Sequence, residues 1–164
     1  MHKVFLAALM ALIVSPICFS NEVITKKLVE EVINITDKAS IEKNADVIAK
    51  HLSSEFNKVI EISSGGQLTV TVPLNKNQYI EMITEGWKKI ENYSYIRDDV
   101  TIEILNEGTA AKSNSTLIEK FAVDGKDVVS KIREYAYYAT EDGHIVITKI
   151  ESITLVGDTT HTTQ

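Results

Sequence analysis

Few residues in this chain combine a reactive type with a useful spacing. His51 and Glu55 stand four residues apart, just after a stretch with the periodicity of a helix. A spacing of four across a helix end can bring an imidazole and a carboxylate together. Acid–base catalysis needs such groups within hydrogen-bond reach of a substrate, with pKa values tuned by burial. The same pair also reads as two solvated residues at a helix terminus, where His interacts well with the dipole. A lone charged pair is more often structural, so an enzyme is the secondary expectation.

The other histidines offer less. His144 falls in a hairpin turn and His161 in the tail. No two histidines have metal-ligand spacing. Asp98 and Asp99 could attract a cation, but strand alternation sends adjacent side chains to opposite faces. The chain has no Gly-rich phosphate loop, no Gly-x-Ser-x-Gly and no zinc signature. No metal and no cofactor is expected.

Aromatic residues are the remaining candidates. The single tryptophan, Trp87, shares an apolar helical stripe with Ile80, Ile83 and Ile90. Such a Trp is usually core, but with Ile83 and Tyr79 it is also the expected lining of any ligand pocket. In "REYAYYAT", alternation puts Arg133, Tyr135 and Tyr137 on one face and Ile132, Glu134, Ala136 and Tyr138 on the other. The first set suits a homodimer contact, or plain cross-strand packing.

The elements that would position these residues follow from periodicity. Residues 1–20 resemble a cleaved signal peptide: Lys3, the apolar run Val4–Val14, Pro16, then small residues before Asn21. The run is short for a membrane span. Cleavage there removes the only cysteine, Cys18, and leaves 144 residues, enough for one domain. It leaves 16 of the 17 basic residues against 23 acidic ones, a formal charge of −7. That balance argues against nucleic acid and anionic membranes as partners. A small secreted domain without disulfides points to a bacterial periplasmic or secreted protein, with no stable membrane insertion after cleavage.

The expected helices cover Glu22–Asp37, with Ile24, Leu28, Val32 and Ile35 as its apolar stripe, then Ile41–Leu52, with Ser40 as cap, then a third after Asn75 or Asn77. Strands are expected over Phe56–Ile62, Gln67–Leu74, Tyr93–Leu105, Ala110–Val123, Asp127–Thr140 and Ile145–Val156, with a bulge near Lys149. Asp142-Gly143 is a strong hairpin signal. In Tyr93–Leu105 the alternation sets Ile96, Val100, Ile102 and Ile104 against Tyr95, Arg97, Asp99, Thr101 and Glu103. The single domain spans residues 21–157, and residues 158–164 read as a flexible tail.

Helices come early and hairpin-linked strands late, which is an α+β pattern. The order resembles the NTF2-like superfamily, also called SnoaL-like or the cystatin-like α+β cone. The resemblance is carried by the first helix, by "EGWKKIENYSY" and by the closing pair "DGKDVVSKIREYAYYATEDGHIVITKIESITLV". It implies a strongly curved antiparallel sheet of about six strands wrapping three helices, with a pocket at the open end. It also implies a dimer surface on the outer sheet face. Members include isomerases, dehydratases, transport factors and periplasmic parts of secretion machines, so the fold does not choose a function. The leading expectation is a secreted or periplasmic, non-catalytic protein that binds a small apolar or amphipathic ligand in the cone, or serves as an envelope interaction module. An isomerase or dehydratase using His51 or Glu55 comes second, and a secretion-apparatus subunit third.

Overall fold

A computed structural model of the chain describes residues 23–64 and 67–155. The signal-peptide reading of residues 1–20 and the tail 158–164 lie outside the described residues. The element order is α1 (Lys26–Ile41), α2 (Ala45–Lys50), β1 (Leu52–Ser64), β2 (Gln67–Asn75), α3 (Lys76–Trp87), β3 (Glu91–Leu105), β4 (Ala110–Val123), β5 (Lys126–Glu141) and β6 (His144–Leu155). The class is α+β; the described residues form three α-helices and six strands in one sheet, in the order β2-β1-β6-β5-β4-β3.

The sheet is mixed rather than wholly antiparallel as expected. β1 runs parallel to β6, and every other neighbouring pair is antiparallel. The reason is topological. The β1–β2 hairpin enters before α3; β3 then starts at the far edge, running opposite to β1, and the three reversals of β3–β4–β5–β6 bring the chain back beside β1. The last strand thus meets β1 with the same polarity.

Local chemistry explains the boundaries. α1 starts at Thr25, whose hydroxyl accepts from the Leu28 amide, and runs one turn past the expected stop at Asp37. Asp is a weak helix former but not a breaker. Its buried side is Val29, Val32, Ile33, Thr36 and Ala39, while Ile35 is exposed. α2 is capped by Asn44 rather than Ser40, which sits inside α1 and donates its hydroxyl to the Thr36 carbonyl. α3 begins with a capping box between Asn75 and Gln78. The two late hairpins turn through Asp124-Gly125 and Asp142-Gly143, all four with positive φ, as two-residue turns of this hand require. The β5–β6 register shifts between Tyr137 and Tyr138, with Thr148 as the extra residue, beside the expected Lys149.

β3 departs most from simple alternation. Asp98 pairs with Thr116 and Thr101 with Asn114, so Asp99 and Val100 together face the single residue Ser115. Asp99 holds φ 54 and its amide bonds the Asp98 carboxylate at 2.9 Å. An extra residue shifts the inward phase by one. Tyr93, Tyr95 and Arg97 point inward before the bulge; Ile102 and Ile104 pack on the core after it. Ile96 is therefore 54% exposed, and Arg97 is inside. This corrects the expected single apolar face.

The core lies between α1, α2 and the concave side of the sheet. It is built from Ile24, Val29, Ile33, Ile48, Phe56, Ala136, Tyr138, Ile147 and neighbours, with Ile80, Ile83 and Trp87 of α3 packed against it.

Candidate functional site

The concave face leaves a cavity of about 180 Å³ beneath α3. Its walls are mostly apolar: Ile33 of α1, Ile48 of α2, Ile83 and Trp87 of α3, and Leu117, Ile132 and Ile150 of the sheet. Its floor is charged. Lys58 of β1, Arg97 of β3, Glu134 of β5 and Asp37 of α1 converge there, four residues far apart in sequence.

The geometry is a connected chain of ion pairs. Lys58 Nζ lies 3.4 Å from Glu134 Oε2. Arg97 Nη1 donates to Glu134 Oε1 at 3.0 Å and to Ser115 Oγ at 2.6 Å. Arg97 Nε lies 3.0 Å from both Asp37 oxygens. Arg97 Nη2 donates to the Tyr95 hydroxyl at 2.8 Å, and that hydroxyl donates to Asp37 at 2.9 Å. Lys58 also stands 4.8 Å over the Tyr79 ring, which packs at 5.5 Å on Phe56. At one wall the Tyr93 hydroxyl donates to Glu119 at 2.8 Å.

Burial and pairing compete at each group. Burial alone pushes the Glu134 carboxyl up, but Lys58 and Arg97 outweigh it and hold it below the usual range. Burial pulls Lys58 down, and the Tyr79 and Glu134 side chains, in that order, more than reverse this. Asp37 is different: burial raises it, and Arg97 and Tyr95 only partly offset the rise. Burial lifts the Tyr138 phenol to about 12; its hydroxyl lies 3.0 Å from Ser113 Oγ.

α3 is held at both ends by lysines. Lys76 Nζ donates to the Leu52 carbonyl at 2.7 Å. Lys43 Nζ donates to the carbonyls of Trp87 and Ile90 at 3.4 and 3.3 Å, filling one acceptor that the helix end leaves open and one in the connection beyond it. These contacts fix Trp87 over the cavity.

Of the residues singled out from sequence, Trp87, Ile83 and Tyr79 all line the cavity. His51 and Glu55 do not. His51 ends α2, with Nδ1 2.9 Å from the Val47 carbonyl, and it faces a separate open groove shared with Glu141 and His144. Glu55 is exposed on β1. The His–Glu pair is not assembled in the cone, because the chain turns into β1 at Leu52 and alternation takes over. Arg133, Tyr135 and Tyr137 do share the convex face, with Lys112 4.9 and 5.2 Å over the two Tyr rings. Among the described residues no cluster of three or more His, Cys, Asp or Glu side chains is arranged to hold a metal.

The charged floor was missed, though two signals were present. Lys58 alternates with Phe56 and Ile60, and Glu134 with Ile132 and Ala136, so each is a charge on an apolar face. Arg97 gave no such signal, since the bulge had to be known first.

No protein-family model matches the sequence, and no curated protein does. Solved structures do match in fold. An NTF2-like protein from Cytophaga hutchinsonii superposes with a TM-score of 0.62 at 13% identity, over 80% of this chain and 98% of that one. A protein with a cystatin-like fold from Caulobacter vibrioides gives 0.62 at 12%, over 80% and 90%. A hexachlorocyclohexane dehydrochlorinase (LinA, type 2) gives 0.62 at 7%, over 78% and 83%. The same architecture thus carries an enzyme and proteins without a stated reaction, and this chain has the NTF2-like α+β cone fold.

Proposed function

We propose that this protein binds a small amphipathic molecule in its cone and performs no chemistry on it. The observation that carries this reading is the cavity of about 180 Å³, apolar in its walls and charged on its floor. An engineered apolar cavity of about 150 Å³ takes up benzene, so a single ring with one polar substituent fits the space. Each carboxylate oxygen of Asp37 and Glu134 already has a cationic partner. A general base needs a pKa matched to its task, and Lys58 and Arg97 hold Glu134 below the usual carboxylate range, which makes it a weak base. The protein would act after export, in the periplasm or outside the cell, and as a homodimer through the convex face that bears Arg133, Tyr135 and Tyr137.

A second reading, an enzyme of the isomerase or dehydratase kind, draws support from Asp37. Burial raises this acid, and the Tyr95 hydroxyl touches it at 2.9 Å. It would work with a proton shared between Asp37 and Tyr95, not with His51 or Glu55.

Trp87 is the only tryptophan and lines the cavity, so its fluorescence reports occupancy. Titration with single-ring compounds is expected to change the emission saturably, with one site per chain. Ile83→Phe, which fills the cavity from α3, is expected to abolish the change. If no such compound produces a saturable signal by fluorescence or calorimetry, the binding reading fails. Recovery of the bound compound chemically altered would favour the enzyme.

A further inference from the structure

We propose that the cone selects a neutral hydrogen-bond acceptor, a ketone, ester or amide carbonyl on a small apolar body, and that Lys58 is the residue that selects it. This rests on the ligand-binding reading above and gives the ligand's polar group.

The inference comes from counting donors against acceptors on the cavity floor. An ammonium has three N–H donors and a guanidinium five, and neither can accept. Lys58 Nζ uses one donor, toward Glu134, among the described residues. Two remain, at a side chain only 10% exposed that lines the cavity. Arg97 spends Nε on Asp37, both Nη1 hydrogens on Ser115 and Glu134, and one Nη2 hydrogen on Tyr95, which leaves one without a partner among the described residues. On the other side of the count, each Glu134 oxygen accepts one of these bonds, and the two Asp37 oxygens share the single Nε hydrogen of Arg97, with the Tyr95 hydroxyl adding a bond to Oδ1. Among the described residues every carboxylate oxygen of the floor is thus already turned to a cation, whereas two Lys58 hydrogens and one of Arg97 have no acceptor. A buried charged donor without an acceptor is costly, so the molecule that completes the site brings an acceptor.

Charge decides what kind. Lys58 and Arg97 balance Glu134 and Asp37, and Glu119 adds a further acid at the wall. A carboxylate ligand would bring an uncompensated negative charge into the cone, and an amine would meet Lys58. A neutral carbonyl satisfies the donors without disturbing that balance. Lys58 is in place for this role before any ligand arrives: Glu134 holds its head at 3.4 Å, and the Tyr79 ring lies 4.8 Å beneath it, braced by Phe56.

Four single-ring probes of similar size test the idea: acetophenone, ethylbenzene, benzoate and benzylamine. Binding is read from Trp87 emission and by calorimetry with the native protein. Acetophenone is expected to bind about 10-fold or more tighter than ethylbenzene, as a hydrogen bond to a charged donor allows, and tighter than both charged probes. Its carbonyl stretch should shift to lower frequency when bound. Lys58→Met is expected to remove both the preference and the shift. The double variant Lys58→Met/Glu134→Gln removes the pair as a neutral unit, and it serves if the single change does not fold. If ethylbenzene binds as well as acetophenone in the native protein, or if the preference survives loss of Lys58, the carbonyl inference is overturned and the binding reading stands. Benzoate or benzylamine binding tighter than acetophenone also overturns it. If none of the four binds, both readings fall.

Discussion

The two faces of β4–β5–β6 use nearly the same residue types to opposite effect. On the concave face Glu134 is buried between Lys58 and Arg97, with Ser115 and Tyr138 near it on the same side. One residue along, on the convex face, Tyr137 donates to Glu151 at 2.9 Å, and Lys149 pairs with Glu151 at 2.6 Å. Inside, the charges have lost most of their water and depend on their partners, so each member matters. Outside, water screens similar contacts and each contributes little. Proximity in sequence says nothing about weight; the face does.

The largest effect is expected from Glu134→Ala. It leaves two buried cations without their shared carboxylate, and breaking a buried pair from one side costs about 3–5 kcal/mol. Urea unfolding should show it; a loss under 1 kcal/mol would mean that the concave and convex charges are equivalent after all. The double variant Lys58→Met/Glu134→Gln should cost clearly less than the sum of its single changes, because a neutral replacement leaves no stranded charge. Additive losses would show that the pair is not coupled.

The acid limb of stability separates the two buried acids. Glu134 is held below the usual carboxylate range, so its contribution is full above about pH 4.3, the ordinary Glu value, and is lost as pH falls toward its folded value. Asp37 is raised, so the folded state takes up its proton first. Its contribution therefore grows as pH falls through its folded value toward the ordinary Asp value of about 3.9. Glu134→Gln should flatten or reverse the acid loss, and Asp37→Asn should steepen it. Identical slopes in the two variants would refute the assignment. The smallest effect belongs to the convex face. Tyr137→Phe should change stability by under about 1 kcal/mol. Arg133→Glu should leave the fold intact and, if the convex face joins two copies, shift sedimentation to monomer.

Much of the frame was legible in the sequence. Asn75, Asp124-Gly125 and Asp142-Gly143 announce a cap and two turns through local chemistry alone. The opposition of Tyr135 and Tyr137 to Glu134 and Tyr138 follows from a period of two. The failures have equally local causes. Helix α1 passes through Asp37 because burial of Thr36 and Ala39 on either side outweighs a weak propensity. His51 and Glu55 could pair only on a helix that continues past Lys50, and α2 ends there.

By itself the sequence determined the helix and strand types, most of the turns, and which residues of β5 face together, because each depends on neighbours a few positions away. The parallel pairing of β1 with β6, the phase change of β3 at Asp99 and the meeting of Asp37, Lys58, Arg97 and Glu134 were decided only by tertiary structure. The physical reason is range. A strand's inward face is set by its register with a partner, and one extra residue in β3 carries Arg97 to the inside. Once there, its charge must find carboxylates from α1 and β5, 60 and 37 residues away along the chain.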